Sequence, residues 1–127
     1  MIIREIMTTQ IVTLKVDSKI YEAQELMKDK DIEFIPIIEE EKIVGIITDK
    51  DLIKKQIENN KSIEIYFNKE IREIMKTTFD FVYETDNEKD VYELMIKNHR
   101  RRFPVVNNNK ELVGVVSLTD LNAERIQ

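Results

Sequence analysis

A seven-residue pattern that could bind a small anionic ligand occurs twice in this chain. It consists of a glycine, two β-branched apolar residues, a hydroxyl residue, two spacers and an aspartate, and it spans Gly45–Asp51 and Gly114–Asp120. We call these the first and second motif. Each motif begins in a run of apolar, β-branched residues that is typical of a strand and leads into a predicted helix. The chemistry is therefore expected where a strand is followed by a helix.

Each residue type in the motif suggests a separate contact with a ligand. Glycines Gly45 and Gly114 would let a flat group lie close to the strand, and the hydroxyl of Thr48 or Ser117 would stand at the helix start beside free backbone N–H groups, which attract anions. The aspartate, Asp51 or Asp120, could accept two hydrogen bonds from a vicinal diol such as that of ribose. A capping role explains the same residue types, because Thr or Ser often caps a helix and Asp favours its positive end. Recurrence of the whole pattern favours the ligand-binding interpretation.

The two motifs belong to an internal repeat. Residues Ile3–Met7 recur unchanged as Ile71–Met75, and the only prolines and glycines fall at matching places, Pro36 with Gly45 and Pro104 with Gly114. We predict a first repeat over residues 1–60, a connection over 61–68 and a second repeat over 69–127. A module of about 60 residues buries only about 60% of the surface that its unfolded chain exposes and would be marginally stable alone, so the two repeats are expected to fold as one packed pair.

Each half is predicted to contain a short helix, a strand, an amphipathic helix, a hairpin of two strands and a closing helix, which makes an α/β fold. Helical spacing of apolar residues follows Asp17–Ser18 in the first half and Asp86 in the second, and these residues are the expected caps. The predicted strands are listed in chain order: Ile11–Val16, Phe34–Ile38, Ile43–Ile47, Phe79–Tyr83, Phe103–Val106 and Leu112–Val116.

Two further expectations concern packing. The connection carries Ile63, Ile65, Tyr66 and Phe67, and we expect it to pack against the rest of the chain. Four methionines recur in repeat register and are expected in the core: Met7, Met27, Met75 and Met95.

Composition excludes several classes of protein. The 127 residues contain no cysteine and one histidine, which rules out disulfides and a conventional zinc centre. We expect a cytoplasmic protein without a membrane span, because the chain has no signal-peptide pattern and no long apolar run. A net charge of −5 argues against nucleic-acid binding, although Arg100–Arg102 concentrates positive charge beside His99. We expect His99 to be a helix-end residue, because no nucleophile accompanies it.

The duplicated order of elements, with both motifs and the upstream Arg-Glu-Ile-Met and Leu-Met segments, resembles a tandem pair of CBS domains, or Bateman module, over residues 2–121. The resemblance implies two repeats related by pseudo-twofold symmetry, clefts between them that bind adenosine derivatives, and a disc-like homodimer. It also implies that the hydroxyl contacts phosphate and the aspartate holds ribose. Thr48 and Asp51 would do this in one cleft, and Ser117 and Asp120 in the other.

The resemblance further implies that the two clefts differ. The residue two before the proline often reaches phosphate bound by the opposite repeat, and it is Arg102 in the second half but Phe34 in the first. Arg102, with Arg101, is therefore expected to serve the Thr48/Asp51 cleft, although a solvated basic surface also explains these arginines. The other cleft, where Lys50 would supply charge, is expected to bind more weakly or to take a ligand without phosphate, such as S-adenosylmethionine.

The hypothesis from the sequence is a stand-alone regulatory module that senses AMP, ADP, ATP or S-adenosylmethionine, needs no cofactor and performs no catalysis. A ligand bridging both repeats would favour one relative orientation, which the homodimer or an unidentified effector protein would read. The alternative is a structural homodimerisation module with vestigial clefts. An enzyme is disfavoured because no catalytic set accompanies the motifs.

Overall fold

The chain folds into two compact units, and the computed structural model describes residues 1–122 of it. One unit, here called the continuous unit, is Val12–Phe79, and the other, the discontinuous unit, combines Met1–Ile11 with the chain from Asp80 onward. The opening segment of each sequence repeat therefore belongs to the unit that holds the rest of the other repeat.

The continuous unit contains a three-stranded sheet with the order β1-β2-β3, in which β1 is parallel to β2 and β2 is antiparallel to β3. Its elements in chain order are β1 (Leu14–Lys15), α1 (Ile20–Lys30), β2 (Phe34–Glu39), β3 (Lys42–Thr48), α2 (Asp49–Glu58), α3 (Ile63–Phe67) and a 3-10 turn (Ile71–Glu73).

The discontinuous unit repeats this plan with the order β4-β5-β6. Its elements are a 3-10 turn (Ile3–Glu5), β4 (Val82–Tyr83), α4 (Glu88–Asn98), β5 (Arg102–Val106), β6 (Leu112–Ser117) and a second 3-10 turn (Leu118–Asp120). The α/β class and both hairpins are confirmed. The closing helix predicted for the second half is a single 3-10 turn up to Asp120. The rest of that predicted helix would fall on residues 123–127, which lie outside the described part.

The strands predicted over residues 11–16 and 79–83 are only two residues long. The parallel ladder of β1 with β2 pairs Leu14 with Ile37, one residue after Pro36, and β4 meets β5 at Val105, one residue after Pro104. A proline has no N–H to donate to a ladder. The two prolines thus account for the late start of both parallel pairings.

The predicted helix caps were one or two residues too early. The N-caps of α1 and α4 are Lys19 and Asn87, and the Asn87 side chain accepts a hydrogen bond from the N–H of Lys89. The residues predicted as caps bind further back: Ser18 Oγ accepts from the N–H of Lys15, and Asp86 Oδ2 accepts from the N–H of Tyr83. They therefore stabilise the turns after β1 and β4.

At the other end of α4, His99 is the C-cap, with a left-handed φ of 54°. Its side chain is exposed. The expectation that His99 is a helix-end residue is confirmed.

Each unit has its own apolar core, to which the opening 3-10 turn contributes. Ile71 is fully buried among the residues of the continuous unit, and Ile3 is fully buried in the discontinuous one. Met27 and Met95 are buried while Met7 and Met75 pack at the core edge, so the predicted core role of these methionines is confirmed. Within residues 1–122, no helix has the length and apolar character needed to cross a membrane.

The connection between the repeats packs through its aromatic residues. Tyr66 of α3 is buried, its hydroxyl donates to the carbonyl of Leu52 at 2.8 Å, and Phe67 packs against the same core. Burial raises the pKa of Tyr66 to about 12. Ile63 and Ile65 are exposed, so the expectation of packing was wrong for these two residues.

The glycines of both motifs are needed for contact within the chain. A Cβ on Gly45 would lie 2.7 Å from Met75 Sδ and 2.9 Å from the carbonyl oxygen of Lys76. A Cβ on Gly114 would lie 2.5 Å from Met7 Sδ and 3.0 Å from the carbonyl oxygen of Thr8. Packing within the chain is thus a sufficient reason for both glycines, and the predicted approach of a flat ligand to them stays a prediction.

We predict that Tyr66→Phe lowers the free energy of unfolding by about 1 kcal/mol, because Leu52 loses a buried hydrogen-bond partner. The folded-state pKa lies above the unfolded value, so the parent's advantage is complete below pH 10 and disappears as the pH rises towards 12. Urea unfolding of both proteins between pH 8 and 12 checks this. A gap that stays constant over this range would contradict the proposed effect of burial.

Gly45→Ala is predicted to lower the free energy of unfolding by about 1–3 kcal/mol, because the Lys76 backbone must move to admit a methyl group. Gly114→Ala should behave alike, whereas Ile57→Ala at an exposed helix position should change stability little. Urea unfolding at neutral pH measures all three. An unchanged midpoint in both glycine variants would show that the contact is not tight.

Candidate functional site

The first motif connects β3 to α2, and Thr48 is the N-cap of that helix. The Thr48 hydroxyl oxygen accepts a hydrogen bond from the N–H of Asp51 at 3.1 Å. The capping role considered for this residue is therefore realised. A hydroxyl that accepts in this way still carries one proton that it can donate to a ligand.

The carboxylate of Asp51 has one oxygen in an ion pair and one without a partner. Its Oδ1 atom lies 3.3 Å from the Nζ atom of Lys76, while Oδ2 is buried and has no hydrogen-bond partner among the described residues. The residue as a whole is only 9% exposed. A buried acceptor left unsatisfied costs about 1–3 kcal/mol, so this oxygen is an energetically favourable target for a ligand donor.

The backbone N–H groups at the start of α2 are already in use. The N–H of Asp49 donates to the carbonyl of Glu33 at 2.9 Å, that of Lys50 to Asp49 Oδ1 at 2.8 Å, and that of Asp51 to Thr48. The expectation of free N–H groups beside the hydroxyl was wrong here, because neighbouring side chains and the preceding loop satisfy them. An anion at this place would need side-chain donors.

The second motif has a different local structure. Ser117 is followed by a 3-10 turn, and Asp120 Oδ2 accepts hydrogen bonds from the Ser117 N–H at 2.8 Å and from the Ser117 hydroxyl at 3.1 Å. The Ser117 hydroxyl also lies 2.8 Å from Thr119 Oγ1. Asp120 is therefore engaged with its own motif, which makes it less available to a diol than Asp51.

The structure places the predicted basic residues at separate points. Arg102 lies at the start of β5 with Ser117 as its Cα partner across the hairpin, so it stands beside the second motif of its own unit. Arg101 is exposed, and its carbonyl accepts from the N–H of Leu118. The predicted role of both arginines towards the Thr48/Asp51 motif stays a prediction.

Lys50 and Arg100 are both exposed. Lys50 is exposed on α2 and lines a surface hollow together with Ile53 and Ile57. Arg100 forms an ion pair with Asp80 through Nε at 3.8 Å. Among residues 1–122, no three His, Asp or Glu side chains are grouped so that they could hold a metal ion.

Sequence reasoning did not identify Lys76 as a site residue. The repeat alignment held a signal, because Lys76 directly follows the matched Ile71–Met75 segment, and its counterpart after Ile3–Met7 is the uncharged Thr8. Only the fold shows that this lysine reaches Asp51.

A glycine, a hydroxyl residue and an aspartate at the end of a hairpin strand, repeated in two similar α/β units, define the class of protein to which this chain belongs. The family model for the CBS domain matches residues 3–58 and 71–125. The chain is therefore a member of the CBS domain family and carries two repeats, which confirms the resemblance seen in the sequence.

Similar proteins share this organisation over nearly the whole chain. CBS domain-containing protein YhcV of Bacillus subtilis is 30% identical over 119 residues, which cover 94% of this chain and 81% of YhcV. Uncharacterized protein YlbB of the same bacterium is 34% identical over 122 residues, which cover 94% of this chain and 79% of YlbB. The solved CBS domain pair of protein MJ0100, in complex with 5'-methylthioadenosine and S-adenosyl-L-methionine, has a TM-score of 0.77 at 28% identity, and the match covers 94% of this chain and 91% of that one.

We predict that Asp120→Ala destabilises the protein more than Asp51→Ala. Loss of the Asp120 carboxylate leaves the Ser117 N–H without a charged acceptor, which should cost about 1–3 kcal/mol. Loss of the Asp51 carboxylate removes an unsatisfied oxygen together with an ion pair to a half-exposed lysine, so the change should stay within about 1 kcal/mol. Urea unfolding of the two variants measures the difference, and the reverse order would contradict the assigned roles.

Proposed function

We propose that this protein is a regulatory module that binds adenosine-containing ligands, of the class AMP, ADP, ATP or S-adenosylmethionine, and performs no catalysis of its own. The single observation that carries the proposal is the buried carboxylate of Asp51, whose Oδ2 atom has no hydrogen-bond partner among the described residues. The complex of MJ0100 with two adenosine derivatives supports the same ligand class.

Ribose matches the needs of the Asp51 carboxylate. A vicinal diol offers two O–H donors at the spacing of the two carboxylate oxygens, and an ionised carboxylate accepts without donating. The ribose would satisfy Oδ2 and take over Oδ1 from Lys76. Each hydrogen bond to a charged group contributes about 1.5–3 kcal/mol, so the pair is sufficient to make Asp51 the main anchor.

The first motif is proposed as the stronger of the two sites. Asp51 has an oxygen to offer, whereas Asp120 must give up its contacts with the Ser117 N–H and hydroxyl before it can hold a diol. That exchange lowers the net gain at the second motif. A difference between the sites was predicted from Arg102, and the bonding of the two aspartates supplies an independent reason for it.

Regulation requires that the ligand binds two states of the protein with different affinity. We propose that a homodimer or an effector protein responds to the state that the ligand favours.

The structural homodimer module remains the second candidate, and the surface of α2 favours it. Ile53 and Ile57 are 60% and 79% exposed on this helix. They border a hollow of about 350 Å³ whose lining is completed by Lys50, Lys54 and Glu58. A second copy of the chain could cover these isoleucines whether or not the motifs bind a ligand.

We predict that isothermal titration with AMP, ATP, S-adenosylmethionine and 5'-methylthioadenosine detects binding of at least one ligand, and that Asp51→Ala weakens it about tenfold or more, because the diol loses its charged acceptor. Asp49→Asn is the matched control, since Asp49 is exposed in the same helical turn and carries the same charge, and an asparagine oxygen can still accept from the N–H of Lys50. Its affinity should stay within about twofold of the parent's. An equal loss of affinity in both variants would contradict the ribose assignment. Absence of binding to all four ligands would favour the homodimer module.

A further inference from the structure

We propose that Lys76 gives the first motif its preference for the charge of the ligand. The Lys76 ammonium group, held against Asp51, would favour adenosine derivatives that carry a phosphate over derivatives that carry no negative charge. This inference rests on the proposed function, and it assigns a role in ligand binding to Lys76, a residue outside both motifs.

The backbone of Lys76 is fixed to the strand that leads into the first motif. Its N–H donates to the carbonyl of Ile46 at 2.9 Å, and the N–H of Ile46 donates to the carbonyl of Lys76 at 3.0 Å. The absence of a side chain at Gly45 permits this approach. The backbone of Lys76 is therefore anchored beside Ile46 of β3, and Ile46 is two residues before Thr48.

The side chain of Lys76 bridges this anchor point to the first turn of α2. Its Nζ atom lies 3.3 Å from Asp51 Oδ1, and the lysine side chain is 49% exposed. One end of the pair is thus buried, while the ammonium keeps access to solvent and to an arriving ligand. An ammonium group has three donors, and this contact uses only one of them.

Ligand binding would change the partner of Lys76. A ribose diol that takes both oxygens of Asp51 displaces the ammonium from Oδ1, and the displaced charge then needs another anion. A phosphate on the ribose supplies that anion, whereas an uncharged ribose substituent leaves the ammonium with water alone.

Phosphate at this place depends on side-chain donors. The N–H groups of Asp49, Lys50 and Asp51 already have partners within the continuous unit. Lys50 lies on the exposed face of α2, with Ile53 and Ile57. The Thr48 hydroxyl and the Lys76 ammonium both contact Asp51, and of these two donors the ammonium carries the charge.

The discontinuous unit provides an internal comparison. Thr8 holds the same place there, because its N–H donates to the carbonyl of Val115 and its carbonyl accepts from the N–H of Val115, both at 2.9 Å. It also lies over the motif glycine, Gly114, as Lys76 lies over Gly45. The fold thus accepts threonine at this position, so Lys76→Thr removes the ammonium with little risk to folding.

The test compares AMP with adenosine, which differ only in the phosphate, by isothermal titration of the full chain and of Lys76→Thr. The site under study is the one that Asp51→Ala weakens. We expect the parent to bind AMP at least tenfold more tightly than adenosine, and Lys76→Thr to lose on the order of tenfold in AMP affinity while adenosine affinity stays within about twofold. Lys76→Arg should retain most of the preference.

Lys54→Thr is the control for overall charge, because it removes one positive charge from the exposed face of α2. It should leave the ratio of AMP to adenosine affinity unchanged. The inference would be overturned if the ratio of AMP to adenosine affinity were the same in the parent and in Lys76→Thr, or if it fell equally in Lys54→Thr. Binding of adenosine would still support the proposed function in either case. Failure of both AMP and adenosine to bind the parent would overturn the inference, and the proposed function would fail with it only if ATP, S-adenosylmethionine and 5'-methylthioadenosine also did not bind.

Discussion

The close approach of an opening segment to a motif strand is the contact on which both units depend. In the continuous unit the Met75–Lys76 backbone lies against β3 over Gly45, with 2.9 Å between the Lys76 oxygen and the place of a Cβ. The same contact recurs over Gly114. It brings Ile71 or Ile3 into a core built mainly by the other repeat's residues, and it sets the side chain that follows the methionine beside the motif.

The two motifs show how similar sequences reach different chemistry. A threonine that caps a ten-residue helix leaves Asp51 facing a buried place with one oxygen unsatisfied. A serine followed by a 3-10 turn lets Asp120 fold back and accept from the Ser117 N–H. The carboxylate of Asp51 thus has an oxygen that lacks a hydrogen bond within residues 1–122, whereas the carboxylate of Asp120 makes its hydrogen bonds within its own motif. The first motif therefore keeps a free acceptor for a ligand donor, whereas the carboxylate of the second motif is used within the chain.

Much of the fold was predictable because its signals are local. Helical spacing around Ala23 or Val91 and the β-branched runs beside Pro36 and Pro104 fix the helices and hairpins, and self-comparison of the chain reveals the repeat. The caps were displaced because Ser18 and Asp86 can bind a turn as well as a helix start. Such local competition is decided by geometry that the sequence does not show.

The site was predictable in residue type but not in bonding. Thr48 and Asp51 were identified from their spacing, whereas the use of the first-turn N–H groups depends on Glu33, which lies on the far side of a hairpin. Lys76 could not be identified by spacing, because it lies 25 residues from Asp51 in the chain and next to it only after folding. Contacts between segments distant in sequence are the information that periodicity and motif spacing lack.

The position of Lys76 in the chain also bears on how ligand binding would become regulation. It follows the opening turn Ile71–Glu73 and lies three residues before Phe79, where the chain leaves the continuous unit. A ligand that takes Asp51 from Lys76 would therefore act on the segment that leads out of the unit, and not only on the motif itself. The ligand can shift the state of that segment only by the difference in its affinity for the two partners of Lys76. An anionic ligand would hold the Lys76 ammonium, whereas an uncharged ligand would release it. The two ligands would then bind at the same place and constrain residues 76–79, which lead out of the continuous unit, in different ways.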